Sequence, residues 1–238
     1  MLVVAPAKLT VSLRVTGVRS DGYHLIDAEM VTLDLADELD ITDGDGLVVR
    51  DARGLDIPVD DTNLVRRALR AVGRTAQVSL TKRIPAGAGL GGGSADAAAV
   101  LRWAGCADVD LAVSLGADVP FCLRGGRARV RGIGEVLDDL PYVERTFTLL
   151  TPPFGVSTPA VYQAWDALGG PTAAGPNDLE PAALHVEPRL AEYRDRLAAA
   201  TGATPTLAGS GGTWFVEGAY PGEGRTVAKT IDTPRSAG

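Results

Sequence analysis

The run Lys82-Arg83-Ile84-Pro85-Ala86-Gly87-Ala88-Gly89-Leu90-Gly91-Gly92-Gly93-Ser94-Ala95-Asp96 decides how the rest of the chain is read. Five glycines fall between positions 87 and 93, and a helix-prone segment, Ala95 to Trp103, follows them. Glycine permits positive φ and lets a ligand reach bare backbone. A helix N-terminus adds unpaired N–H groups and a positive partial charge. Together they predict a phosphate cradle, and so a nucleotide ligand, on Pro85, Gly87, Gly89, Leu90, Gly91, Gly92, Gly93 and Ser94. Gly91 and Gly92 are expected to need positive φ and close phosphate approach. A flexible linker is the plainer reading, but an abrupt Gly-to-Ser-Ala junction is poor linker design. Residues 87–92 also match G-x-G-x-x-G, yet Gly105 to Asp110 lacks the apolar strand that a dinucleotide fold places before its acidic residue. No G-K-[ST], H-R-D or D-F-G follows, which excludes an ordinary P-loop and a protein kinase.

The chain has 238 residues, enough for one or two domains at about 150 residues each. A hydrophobic content of 45% with only 5% aromatics requires a core filled by aliphatic side chains and alanine. The net charge of -7 argues against a duplex nucleic-acid partner, while a local basic site could still take an anionic small molecule. Cys106 and Cys122 lack metal-ligand spacing and are too few for a disulfide scaffold, so a reducing, cytoplasmic setting is expected. Met1 to Pro6 has no charged leader region, and no apolar run approaches the roughly 20 residues that span a membrane.

Alternation predicts strands over Leu2 to Val15 and Glu29 to Thr42, with a polar loop from Gly17 to His24. Further strands are expected at Gly46 to Asp51, Gln77 to Ile84 and Thr146 to Leu150. Short strands at Thr204 to Leu207 and Thr213 to Glu217 flank Gly209-Ser210-Gly211-Gly212. Phe121 to Arg131 reads as a hairpin turning at Gly125-Gly126. Helices are expected from Leu64 to Val72, capped by Asp61-Thr62-Asn63, and at 95–104, 109–115, 157–167 and 188–200. Arg225 to Asp232 could form a closing strand. Close-spaced strands mixed with helices predict an α+β fold. The best boundary lies between Asp138 and Pro153, giving units of 1–145 and 146–238.

Four further motifs stand in order around the glycine run: Pro6-Ala7-Lys8-Leu9, Asp21-Gly22-Tyr23-His24, Leu115-Gly116-Ala117-Asp118-Val119-Pro120-Phe121, and Gly209-Ser210-Gly211-Gly212-Thr213. From about residue 5 to about residue 217, this series resembles the GHMP small-molecule kinases. D-G-Y-H and L-G-A-D-V-P-F point to the branch that phosphorylates a cytidine-diphosphate-linked methylerythritol on the isoprenoid route. The resemblance implies two α+β domains with the active site in the cleft between them, ATP and Mg²⁺, and a small-molecule acceptor. A mevalonate-type kinase or decarboxylase, or a ligand-binding paralogue without catalysis, are the alternatives. Tyr23-His24 argues against the first, and retention of both Lys8 and Asp118 against the second.

The resemblance implies that Asp118 takes the acceptor's proton and that Lys8 stabilises the developing alkoxide. Read locally, Asp118 is a turn or cap residue before Pro120 and Lys8 an edge lysine. Ser94 could cap the following helix or reach a phosphate or Mg²⁺. Tyr23 and Tyr162 are expected to sandwich a cytosine whose polar edge His24 reads, although Tyr162 could simply pack on the core. Thr10, where most members have Asn, and Gly209, Ser210 and Gly211 complete the expected acceptor site. Lys82 and Arg83 could meet phosphate or be solvated, acidic Asp96 could sit near ATP phosphates, and His185 has no expected role.

Overall fold

The computed structural model describes residues 1–51 and 57–232. Its frame is one long antiparallel pair, β1 (Leu2–Val18) with β2 (His24–Thr42), in register from Val18↔His24 to Leu2↔Asp40. Register shifts between Pro6/Lys8 and between Thr10/Ser12 bracket residues 8–10. Bulges of this kind re-aim side chains beside functional sites. The second edge of β2 is shared: its first half pairs with β5 (Arg127–Gly132) and its second half with β4 (Gln77–Lys82). β3 (Gly46–Asp51) runs parallel to β4, and β6 (Val136–Asp139) closes the other side against β5.

The second sheet is antiparallel, in the order β10 (Arg225–Lys229), β7 (Thr146–Leu150), β9 (Trp214–Glu217), β8 (Thr206–Leu207). Four helices belong to the first half: α1 (Leu64–Ala71), α2 (Gly92–Trp103), α3 (Val109–Leu115) and α4 (Val119–Arg124). Three belong to the second: α5 (Thr158–Ala167), α6 (Glu180–Val186) and α7 (Leu190–Thr201). α2 is buried along its whole middle, Ala95 to Leu101, against β1, α1 and α4. Alanine at four of those positions lets neighbouring backbones close on it, which is how a chain poor in aromatics fills its core. Two apolar clusters form, and each takes side chains from before and after Thr146: Phe147 and Phe215 join the first, Met30 and Phe121 the second.

Three local expectations are corrected. Residues 119–124 are helix α4 and not the first arm of a hairpin, because Pro120 suits a first helical turn and Gly125, at φ 75°, ends it. α2 starts at Gly92 with Gly91 as its N-cap, so Ser94 lies inside the first turn and does not cap the helix. Gly91 has φ 69°, whereas Gly92 is helical and needs no positive φ. α6 and β6 lie where no element was expected, since each is short and lacks a clear period.

Candidate active site

A cleft of about 560 Å³ opens beside residues 8–10. Lys8 is buried, and its Nζ stands 3.3 Å from Asp118 Oδ2 while donating to Thr10 Oγ1 at 3.1 Å. Lys8 and Thr10 share a face because they are two apart on a strand. The Lys8 stem runs under Gly91, where a Cβ would come within 2.7 Å of Lys8 Cγ, and its backbone N–H donates to Leu90 O at 3.1 Å. Asp118 occupies the N-cap position of α4, yet no side-chain cap hydrogen bond is made. Its carboxylate is instead one-third exposed to the cleft and paired with Lys8. Strand β1 and helix α4 thus bring together two residues that lie far apart in sequence.

The glycine segment and the late glycine turn meet backbone to backbone. A Cβ on Gly89, at φ 76°, would fall 2.5 Å from Ala208 O and 2.7 Å from Gly211 O. Gly87 lies against Gly155, and Ala88 O accepts from Thr213 N–H at 3.0 Å. Pro85 and Leu90 are buried and Gly93 is exposed in the first turn of α2. Gly89 and Ser94 line the cleft, as do Gly209 and Ser210; Ser210 Oγ lies 2.7 Å from Thr158 Oγ1. Gly211 turns behind them at φ 110°. The first N–H groups of α2 receive no side-chain cap, which leaves donors for an anion.

His24, Tyr162 and Tyr23 line another part of the same cleft. The His24 ring packs on Tyr162 at 4.6 Å between centroids and edge-on to Trp165 at 5.6 Å. Its Nε2 donates to Asp166 Oδ1 at 2.8 Å, which leaves Nδ1 of a neutral ring as acceptor. Burial pushes the Tyr162 phenol up, so it stays a neutral donor. Tyr23 is exposed at the loop joining β1 to β2, and the Arg19 guanidinium lies 5.9 Å from its ring centroid.

Lys82 and Asp96 move away from their expected places, whereas Arg83 is solvated, one of the two readings expected for it. Lys82 is neither solvated nor on the cleft: it is buried, bonded to Asp37 and, at 2.7 Å, to Asp96 Oδ2. Arg83 forks onto Glu38 at the surface. Asp96 is buried, and that burial, opposed by Lys82 and reinforced by Asp37, raises its carboxyl to about 7.

Sequence reasoning missed Asn177. It is buried and donates through Nδ2 to Leu207 O at 2.8 Å and Gly209 O at 2.7 Å, fixing the late glycine turn. Its neighbour Asp178 accepts from Arg14 and from Val15 N–H of β1. The pair Asn-Asp ahead of Leu-Glu is a helix-start signal that could have marked this segment. Asp166 and Gly134 carry no comparable signal. Asp166 reaches His24 across the fold, and Gly134 fits because a Cβ there would fall 2.1 Å from Ala117 O.

Comparison with known proteins agrees with this geometry. Residues 63–126 match the GHMP kinases N terminal domain. The chain is 40% identical to 4-diphosphocytidyl-2-C-methyl-D-erythritol kinase of Paracoccus denitrificans, spanning 89% of this chain and 84% of that one. It is 38% identical to the enzyme of the same name from Cereibacter sphaeroides, spanning 96% of this chain and 93% of that one. A crystal structure of 4-(cytidine 5'-diphospho)-2C-methyl-D-erythritol kinase superposes with TM-score 0.73 at 32% identity, over 96% of this chain and 98% of that one. A mevalonate kinase shares the fold alone, at TM-score 0.55 and 11% identity. With the α+β architecture, the paired Lys8 and Asp118 and these relatives in hand, the chain belongs to the 4-diphosphocytidyl-2-C-methyl-D-erythritol kinase family of GHMP kinases.

Proposed function

We propose that this chain transfers the γ-phosphoryl group of ATP to the 2-hydroxyl of 4-diphosphocytidyl-2-C-methyl-D-erythritol, on the methylerythritol phosphate route to isoprenoids. The observation that carries this reading is the Lys8–Asp118 pair, 3.3 Å apart in a cleft also lined by Ser94, His24 and Tyr162. Asp118 accepts the hydroxyl proton as the new O–P bond forms and the bond to ADP breaks. Lys8 offsets the charge growing on the attacking oxygen. The α2 N-terminus and the loop from Pro85 to Gly93 hold the nucleotide phosphates. Tyr23, His24 and Tyr162 receive the cytosine, and Thr10 with Gly209, Ser210 and Gly211 border the acceptor.

Among the described residues no group of three or more His, Cys, Asp or Glu could hold a metal ion. Mg²⁺ usually binds through substrate phosphates with few protein ligands. Ser94 is the residue that would reach it, and the ion would supply neutralisation of phosphate charge. The second sheet begins at Thr146, which supports units of 1–145 and 146–238, the last six residues lying outside those described. No helix among the described residues is long and apolar enough to cross a membrane. The net charge of -7 argues against a nucleic-acid partner, and the free Cys106 and Cys122 support a cytoplasmic setting.

Release of ADP measured with the cytidylylated acceptor and, separately, with mevalonate tests this reading. Turnover with the first and none with the second is expected. The reverse result, or no turnover with either, overturns it.

A further inference from the structure

The seven residues 85–91 leave the surface of β4 and return as α2 through glycines at φ 68°, 76° and 69°. Such a loop has little intrinsic reason to hold one shape. Both of its ends run into one buried cluster. Before the loop, Lys82 donates to Asp37, and Asp37 Oδ1 accepts the backbone N–H of Arg83 at 2.5 Å and of Ile84 at 2.8 Å. After the loop, Asp96 in the second turn of α2 accepts from the same Lys82 at 2.7 Å. The ammonium lies directly under the start of α2, where a Cβ on Gly92 would come 3.1 Å from Lys82 Nζ. All three side chains are buried, and Asp96 Oδ1 has no hydrogen-bond partner.

Stability alone does not explain this arrangement. Two carboxylates and one ammonium are removed from water, and apolar replacements for buried ion clusters are often neutral or stabilising. What the cluster does achieve is geometric. One ammonium ties β2, the end of β4 and the first turns of α2 together, on both sides of the segment that is to receive phosphate. It touches neither Lys8 nor Asp118, and it does not border the cleft.

We infer that Asp37, Lys82 and Asp96 are positioning residues for the nucleotide: their ion triad clamps the two ends of the glycine loop so that its N–H groups stand ready for the phosphates. This inference rests on the kinase reading above and adds to it a set of residues that act through the loop. It requires a hydrogen-bond acceptor at position 96, not a charge, because the contact with Lys82 is what closes the clamp.

The test is steady-state kinetics on full-length variants, with binding of a non-hydrolysable ATP analogue measured in parallel. Lys82→Met and Asp96→Ala should each raise the ATP KM and the analogue Kd by about tenfold or more, leaving the acceptor KM within about twofold. Asp96→Asn keeps an acceptor for Lys82 and should restore both nucleotide values to within about threefold of the parent chain. Should Lys82→Met not fold, the two substitutions at position 96 decide alone. ATP values unchanged in Asp96→Ala, equal rises in both KM values, or no rescue by Asn overturn the positioning role. A parent chain that binds the analogue and turns over keeps the functional reading intact in every one of those cases. A parent chain that binds no analogue overturns the functional reading and the positioning role with it.

Discussion

Asp118 shows how one residue's role depends on what its oxygens do. A carboxylate at an N-cap position ordinarily accepts a backbone N–H; this one does not, and faces Lys8 and the cleft. Asp118→Asn should therefore lower kcat by about 10²–10⁴-fold, the usual reach of a general base, with binding of an ATP analogue nearly unchanged. Turnover within about threefold of the parent would remove Asp118 from the mechanism. The aromatic group makes a second residue-scale prediction. Base–aromatic stacking is worth roughly 1–3 kcal/mol, so Tyr162→Ala should raise the acceptor KM by about tenfold and leave the ATP KM alone. Cytidine nucleotides should compete with the acceptor and not with ATP. Tyr162 packs on His24, and His24 is anchored by Asp166, so His24→Ala should act in the same direction. An acceptor KM untouched by both substitutions would defeat the cytosine reading.

At the scale of elements, the glycines divide by cause. Gly89 combines φ 76° with backbone oxygens inside 3 Å of any Cβ, at 2.5 and 2.7 Å, so Gly89→Ala meets both strain and collision. Gly93 is helical and a Cβ there meets only Leu64 Cδ1, at 3.4 Å. Gly93→Ala should keep or raise thermal stability, since alanine is favoured over glycine in a helix by about 1 kcal/mol. Gly89→Ala should lower stability and weaken ATP-analogue binding together. Equal melting temperatures for the two variants would contradict this division. The same elements show what pattern alone could reach. Gly46–Asp51, Val109–Leu115 and Thr146–Leu150 were legible in the sequence with the bounds they have in the structure. Phe121 to Arg124 was not, because a six-residue buried helix and a buried strand present the same apolar run, although the second arm expected beyond Gly125-Gly126 is the strand β5.

For the whole molecule, the joint between the halves matters most. Asn177 ties the turn at 207–209, while Pro176 O and the Asp178 N–H bond to Leu13 of β1 on either side of it. Asn177→Ala would leave buried carbonyls without donors, at a cost of about 1–3 kcal/mol. Urea denaturation should show that loss, and the acceptor KM should rise because Gly209 stands beside Lys8 and Thr10. An unchanged denaturation midpoint would assign the joint to other contacts.

Local order in the chain was enough to mark the glycine run as a candidate phosphate loop and to predict the α+β character, while Lys8, Asp118, His24 and Tyr162 became candidates through the family resemblance of the segments that carry them. Each is marked by a short motif, and glycine spacing, caps and alternation act within a few residues. Only the tertiary structure decided which charges are solvated and which are buried. Lys82 is bonded to Asp37, 45 residues away in sequence, and Asn177 holds carbonyls 30 and 32 residues further on. Such pairings depend on how β2, β4 and the second sheet stack. No local pattern records them, because burial and its hydrogen-bond demands are settled by distant segments brought together.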